Sequence, residues 1–122
     1  MKPTILFDSK NLTDTQKNEL KKNNKVNVDL LSPRNEMFTL FGAGLAELPE
    51  GISAKLQVCI ASDPDSEKDL RNKDTLFTDM VMFGQAVELD VNNTVVNLEM
   101  TGHFRLVIPK LAKNKRLVIG FY

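Results

Sequence analysis

The chain has one cysteine, Cys59, so it can form no intrachain disulfide. Cys59 lies inside an apolar run, where a free thiol behaves as a small buried hydrophobe, and the chain reads as one made in a reducing compartment. There is one histidine, His103, so no pair of histidines stands at metal-ligand spacing; a metal site would have to draw on carboxylates or Cys59. No apolar run approaches the ~20 residues of a transmembrane helix, and the apolar stretch in MKPTILFDSK is too short for a signal peptide. The expectation is a soluble protein synthesised in the cytosol. Net charge is also missing: 16 basic and 16 acidic residues cancel. No overall field steers the chain toward nucleic acid or anionic membrane, and little repulsion opposes self-association. A Gly-rich phosphate loop is absent, because Gly42-Ala43-Gly44 lacks the third Gly and the following helix of a dinucleotide fingerprint. No nucleophile elbow accompanies His103, which reads as a turn or strand-end residue beside Gly102.

What is present is alternation. At 122 residues, 42% hydrophobic and 26% charged, the chain has the composition of one globular domain. The stretch 102–122 carries two apolar runs around a basic linker at 109–116. Phe104, Leu106 and Ile108 share one face of the first; Leu117, Ile119 and Phe121 share one face of the second. Arg105, Val107, Val118 and Gly120 lie off those faces, so both strands are apolar on nearly both sides, as central or doubly covered strands are. The linker reads as the connection of a sandwich-closing pair. An apolar end at Tyr122 is expected to be tied into a sheet.

Upstream, 4–7 reads as an edge strand. Thr13 with Gln16 fits a capping box, with Leu12 available as a hydrophobic staple, and opens a short surface helix over 14–22 or else an extended arm. Val26, Val28 and Leu30 alternate with Asn27 and Asp29 as a strand. Residues 31–35 carry turn chemistry, 37–41 are apolar, and Gly42 with Gly44 marks a bend. A turn follows at 48–51. Ala54, Leu56, Val58 and Ile60 share a strand face. Residues 62–74 are the most polar stretch, a long solvated loop. Strand character resumes at 75–77, 80–83, 87–91 and 96–100, with turns at Asn92-Asn93 and Thr101-Gly102. Eight to ten short strands without a long helix imply an antiparallel all-β sandwich or barrel. It forms a single domain over 1–122, with an N-terminal arm at 1–25 as the one detachable piece.

Asp63, Asp65, Glu67 and Asp69 recur at every second position, but the Gly and late Glu of a calcium-binding loop are not in place. Two basic clusters, Lys17, Lys21, Lys22 and Lys25, then Lys110, Lys113, Lys115 and Arg116, suit a small β-barrel that binds single-stranded nucleic acid. Phe38, Phe41, Phe77, Phe83, Phe104 and Phe121 fall in apolar runs and read as core instead of a stacking platform. An enzyme pairing His103 with an Asp is a third reading.

The ends of the chain carry a family pattern. Leu6-Phe7-Asp8-Ser9 with Leu12-Thr13-Asp14-Thr15-Gln16, then Val28-Asp29-Leu30-Leu31, resembles the N-terminal signature of the cement (head-decoration) proteins of short-tailed bacteriophages. That signature is an "sD.Q" element followed by a "viDLg"-like strand. Leu56-Gln57-Val58-Cys59-Ile60-Ala61-Ser62-Asp63 is similar to the family's strand leading into a "tS.D" loop. Gly102-His103-Phe104-Arg105-Leu106-Val107-Ile108-Pro109 and Lys115-Arg116-Leu117-Val118-Ile119-Gly120-Phe121-Tyr122 resemble its "G…..lP…..RYlrl.Y" close. The pieces are short, and specificity lies in their order along nearly the whole chain. The lysine-rich 17–25 departs from the family's small residues, and Leu31-Ser32 from its Leu-Gly. The resemblance implies a jelly-roll-like β-sandwich on the outside of an icosahedral head, a homodimer bridging units of the major capsid protein. It implies no catalytic residue and no cofactor; no metal, small-molecule substrate or membrane is expected either, and single-stranded nucleic-acid binding stays the alternative reading. The residues expected at the capsid or subunit interface are Leu12, Thr13, Gln16 and Leu20 in the arm, with Asp63 and Asp65 in the loop.

Overall fold

The structure, a computed structural model, describes residues 4–45, 48, 52–110 and 116–122; for 31–38 and 98–101 it describes the backbone alone. In chain order the elements are β1 (Thr4–Asp8), α1 (Asp14–Asn23), β2 (Lys25–Ala43) and β3 (Ala54–Cys59). Three 3₁₀ turns follow (Pro64–Ser66, Leu70–Asn72, Asp74–Leu76). Then come β4 (Phe77–Asp79), β5 (Val81–Met82), β6 (Gln85–Ala86), β7 (Glu88–Leu89), β8 (Val95–Pro109) and β9 (Val118–Phe121). The main sheet runs β1-β9-β2-β8-β3-β4, antiparallel throughout, with β7 also on β3; β5 and β6 pair only with each other. The fold is the expected all-β antiparallel sandwich, with one α-helix among the described residues.

The long pair β2 and β8 organises it. At one end β3 continues the sheet from β8, with Leu56 opposite Leu106; at the other β9 continues it from β2, with Gly42 opposite Ile119. Side chains from both ends meet in one core: Val26, Leu30, Leu56, Leu106 and Ile108 with Phe7, Leu40, Leu117 and Ile119. The period-two reading of 104–108 and 117–121 holds, since Phe104, Leu106, Ile108, Leu117 and Ile119 are all buried. The two strands do not pair with each other, however. β2 lies between them, so 109–116 joins strands on opposite sides of β2. Residues 111–115 of that linker lie outside the described residues, as do 49–51 of the turn expected at 48–51. Tyr122 is tied in as expected, exchanging backbone hydrogen bonds with Thr39 (3.0 and 3.1 Å).

Two expected turns are strand instead. Residues 31–35 stay within β2, and Thr101-Gly102 within β8. Ser32 pairs with Gly102 and Glu36 with Met100, so β2 advances four residues where β8 advances two. The turn chemistry is absorbed as this irregularity, with Pro33 in the unpaired stretch where a strand tolerates a missing N–H. Local composition favoured a reversal, but both flanks of 31–35 pair with the same partner strand, and that continuity wins. The bend after β2 is as read: Gly44 has φ +82°, and a Cβ there would overlap the Arg116 carbonyl oxygen.

Residues 14–23 are helix, not extended arm. Thr13 Oγ1 accepts from Gln16 N–H while Thr13 N–H donates to Gln16 Oε1, each 3.2 Å, the reciprocal cap the sequence predicts. Asn24 ends α1 in the left-handed conformation, its N–H on the Leu20 carbonyl. Nor does 4–25 project as a separate arm. Phe7 is buried, Leu6, Leu12 and Leu20 pack on the core, and β1 pairs with β9.

Candidate functional site

The polar face of the sheet is where the functional candidates gather. On β2, β3 and β8 the residues off the core face include Asn27, Asp29, Gln57, His103 and Arg105. Asp29 lies opposite Arg105, and Gln57 lies opposite it on the other side. The polar stretch 62–76 lies over this face as a series of 3₁₀ turns, so the loop is solvated on its outer side, as its composition suggests, and is also a cover. The reason is charge matching. Arg71 Nη2 pairs with Glu19 Oε1 of α1 at 2.7 Å, and Arg71 Nη1 donates to the Asn27 carbonyl at 3.2 Å. Asn72 Nδ2 reaches Asp69 and Glu19, and Asn27 Nδ2 donates to Asn72 Oδ1.

Arg105 is the centre of the arrangement, 2% exposed. Its Nε donates to Gln57 Oε1 (2.8 Å), and its Nη1 to the Arg71 carbonyl (2.9 Å) and to Asp74 (2.9 Å). The guanidinium lies over the Phe77 ring, 4.4 Å from its centroid. Asp74 also takes Lys25 Nζ at 3.1 Å. The Lys25 hydrogen bond holds the Asp74 carboxyl below its usual value; burial opposes it, and a lesser hydrogen bond from Arg105 adds to the lowering. Satisfaction is incomplete: Glu19 Oε2 and Asn27 Oδ1 are buried without a hydrogen-bond partner.

Between the cover and the sheet runs a cleft of about 340 Å³. Its apolar surface comes from Leu30, Pro64, Leu70 and Phe104, its polar surface from Asp29, Asp65, Glu67 and His103. His103 Nε2 stands 3.4 Å from Asp65 Oδ1, so the His-Asp pairing considered from sequence exists geometrically. Asp65 is 89% exposed, which makes this a wet contact of small energetic weight. Burial raises the Asp29 carboxyl above its usual value, against smaller lowering effects of Arg71 and His103. The cleft could accept a cationic group on an apolar stem. Among the described residues no three His, Cys, Asp or Glu side chains are arranged to hold a metal ion.

The six residues expected at an interface fall in two places. Leu12 and Leu20 are half-buried against the core, and Thr13 and Gln16 are engaged in the helix cap. Asp63 and Asp65 are exposed in the first 3₁₀ turn region. It is Asp69, Arg71 and Asn72, not those two, that line a groove with α1. Of the basic clusters, Lys17, Lys21 and Lys22 are exposed on α1, Lys25 is paired with Asp74, and Arg116 with Asp8 at 2.8 Å. Lys113 and Lys115 lie outside the described residues, as does the side chain of Phe38. Phe77 and Phe104 are buried and Phe41 and Phe121 half-buried; Phe83 is exposed and does not join the core expected of it. Arg105, Arg71, Glu19 and Asn72 escaped the sequence reading. The one available signal was a lone charge, Arg105, in a strand apolar on both sides. No helix among the described residues is long and apolar enough to cross a membrane. Comparison with protein-family models, with curated proteins and with solved structures finds no match.

Proposed function

We propose that the chain is a structural protein that decorates the outside of a phage head and stabilises the shell by bridging capsid subunits, as a homodimer with jelly-roll-like wiring. The observation that carries this reading is the ordered run of motifs: Leu6–Gln16, Val28–Leu31, Leu56–Asp63, and the two closing strands. Those motifs map onto β1 with the cap of α1, β2, β3 with the first 3₁₀ turn, then β8 and β9. Zero net charge favours close packing of many copies on one shell. Each copy would work additively, an interface of about 1,200–2,000 Å² being enough for specific attachment.

The test is co-sedimentation of the purified chain with undecorated heads of the phage whose genome carries the sequence. Saturable binding at a fixed copy number per capsid subunit, with heads that release DNA at a higher temperature, is expected. No co-sedimentation at micromolar protein refutes the proposal.

A further inference from the structure

The hairpin formed by β5 and β6 has a tip the fold does not call for. Phe83 and Gly84 turn it, both at positive φ (+54° and +77°), the pattern of a type I′ turn. Gly suits that backbone, and Asn or Asp suits the position before it; a bulky aromatic at positive φ is a strained choice. The Phe83 side chain gains nothing in return within the chain, since it is 99% exposed. Val81 beside it is 59% exposed, while Val87 at the base is buried and its carbonyl accepts from Leu56 N–H at 3.0 Å. The tip is thus anchored at its base and bare at its end. Strain together with full exposure of a large apolar group marks a residue retained for a contact outside the chain.

Charge identifies the occupant. Residues 80–87 carry no charged side chain, in a chain that is 26% charged. Between Lys73 and Arg105 there is no lysine or arginine, whereas Asp79, Glu88 and Asp90 flank the hairpin. Lys55 stands opposite Glu88 in register, and neither Asp79 nor Asp90 faces a cation among the described residues. An acidic surround opposes approach to an anionic lipid surface. It also opposes insertion into the apolar cleft of a second copy, which is itself rimmed by Asp29, Asp65 and Glu67. The matching surface is an apolar hollow edged with lysine or arginine.

We propose that the β5–β6 hairpin is a docking finger that seats Phe83 in a basic-rimmed apolar hollow on the outer surface of the capsid protein; the partner's identity rests on the decoration reading above. A buried Phe covers about 150–250 Å², well short of the roughly 800 Å² per partner of a specific interface. The finger is therefore one anchor within a broader contact.

The experiment measures head binding and thermal unfolding of the wild-type chain, Phe83→Asn, Phe83→Leu and Phe83→Lys, with vesicle flotation and sedimentation velocity alongside. Asn before Gly fits the turn, so Phe83→Asn should fold with equal or higher Tm and bind heads about 30-fold more weakly, as loss of a central anchor does. Phe83→Leu should retain most of the binding and Phe83→Lys should lose it. Unchanged binding by Phe83→Asn overturns the finger while leaving the decoration reading intact. Failure of the wild-type chain to bind heads overturns both. A lower Tm for Phe83→Asn makes Phe83 a folding residue and overturns the proposal. So does Phe83-dependent flotation with vesicles, or Phe83-dependent self-association.

Discussion

Replacing Arg105 with alanine should be among the most damaging single substitutions on the polar face. The change removes a guanidinium that is 2% exposed and makes three close polar contacts, with Gln57, the Arg71 carbonyl and Asp74, plus the ring contact with Phe77. Hydrogen bonds from a charged group are worth about 1.5–3 kcal/mol each when made, and the cation–π contact about 0.5–2 kcal/mol. Much of the Asp74 share is recovered in the variant, because that carboxylate is 59% exposed and keeps Lys25. Gln57 Oε1 and the Arg71 carbonyl lose a donor in partly buried surroundings. The balance is a loss of about 3 kcal/mol. At about 4 °C per kcal/mol for a domain of this size, Tm falls by about 12 °C. Lys25→Ala is the control: its partner Asp74 is 59% exposed and keeps Arg105, so the loss stays below about 1 kcal/mol. Arg105→Lys should fall between them, retaining charge without the fork that reaches three partners. Urea unfolding followed by circular dichroism reads all three. If Arg105→Ala and Lys25→Ala agree within about 1 kcal/mol, the cover is not held through Arg105 and the account of this face is wrong.

Two glycines at similar positive φ should part company: Gly84→Ala meets open space and costs about 1–2 kcal/mol of left-handed strain, whereas Gly44→Ala also drives a Cβ into the Arg116 carbonyl and should cost more in the same unfolding assay. Asp29→Asn should stabilise the chain at neutral pH, because burial raises the native carboxyl above its ordinary 3.8. The wild-type residue's stability contribution is present below that value and lost as pH rises through the raised one, so the gain should vanish in unfolding curves taken below pH 3.8. Asp8 behaves oppositely: the Arg116 hydrogen bond, helped by the Lys10 backbone N–H, lowers its carboxyl to about 2. The resulting stability is present above the ordinary 3.8 and disappears as pH falls through about 2. Arg116→Ala should return the Asp8 titration, followed by carboxyl-carbon NMR, toward its ordinary value.

The residues that read well in the sequence are those whose signal is local. Phe104, Leu106 and Ile108 alternate with Arg105 and Val107, and a strand has a period of two whatever its neighbours. Thr13 and Gln16 stand at the spacing of a reciprocal cap, which is complete within four residues. Residues 31–35 misled because Ser, Pro and Asn favour turns in isolation, while pairing of both flanks with β8 outweighs that preference. Of the candidate site, the carboxylates at 63–69 and His103 were visible as residue types. Their meeting was not, since Asp65 in the cover and His103 on the sheet are brought together only by the fold.

By itself the sequence determined the class of the protein: short-range alternation dictated strands, the apolar faces of 104–108 and 117–119 dictated which of their side chains enter the core, and the single cysteine excluded an intrachain disulfide. Tertiary structure alone decided that β2 separates β8 from β9, that 62–76 covers the polar face, and that Arg105 is buried there. The physical reason is range. Alternation is set by the geometry of adjacent peptide units, whereas removing a guanidinium from water depends on acceptors supplied by Gln57, Arg71 and Asp74, tens of residues away in the chain.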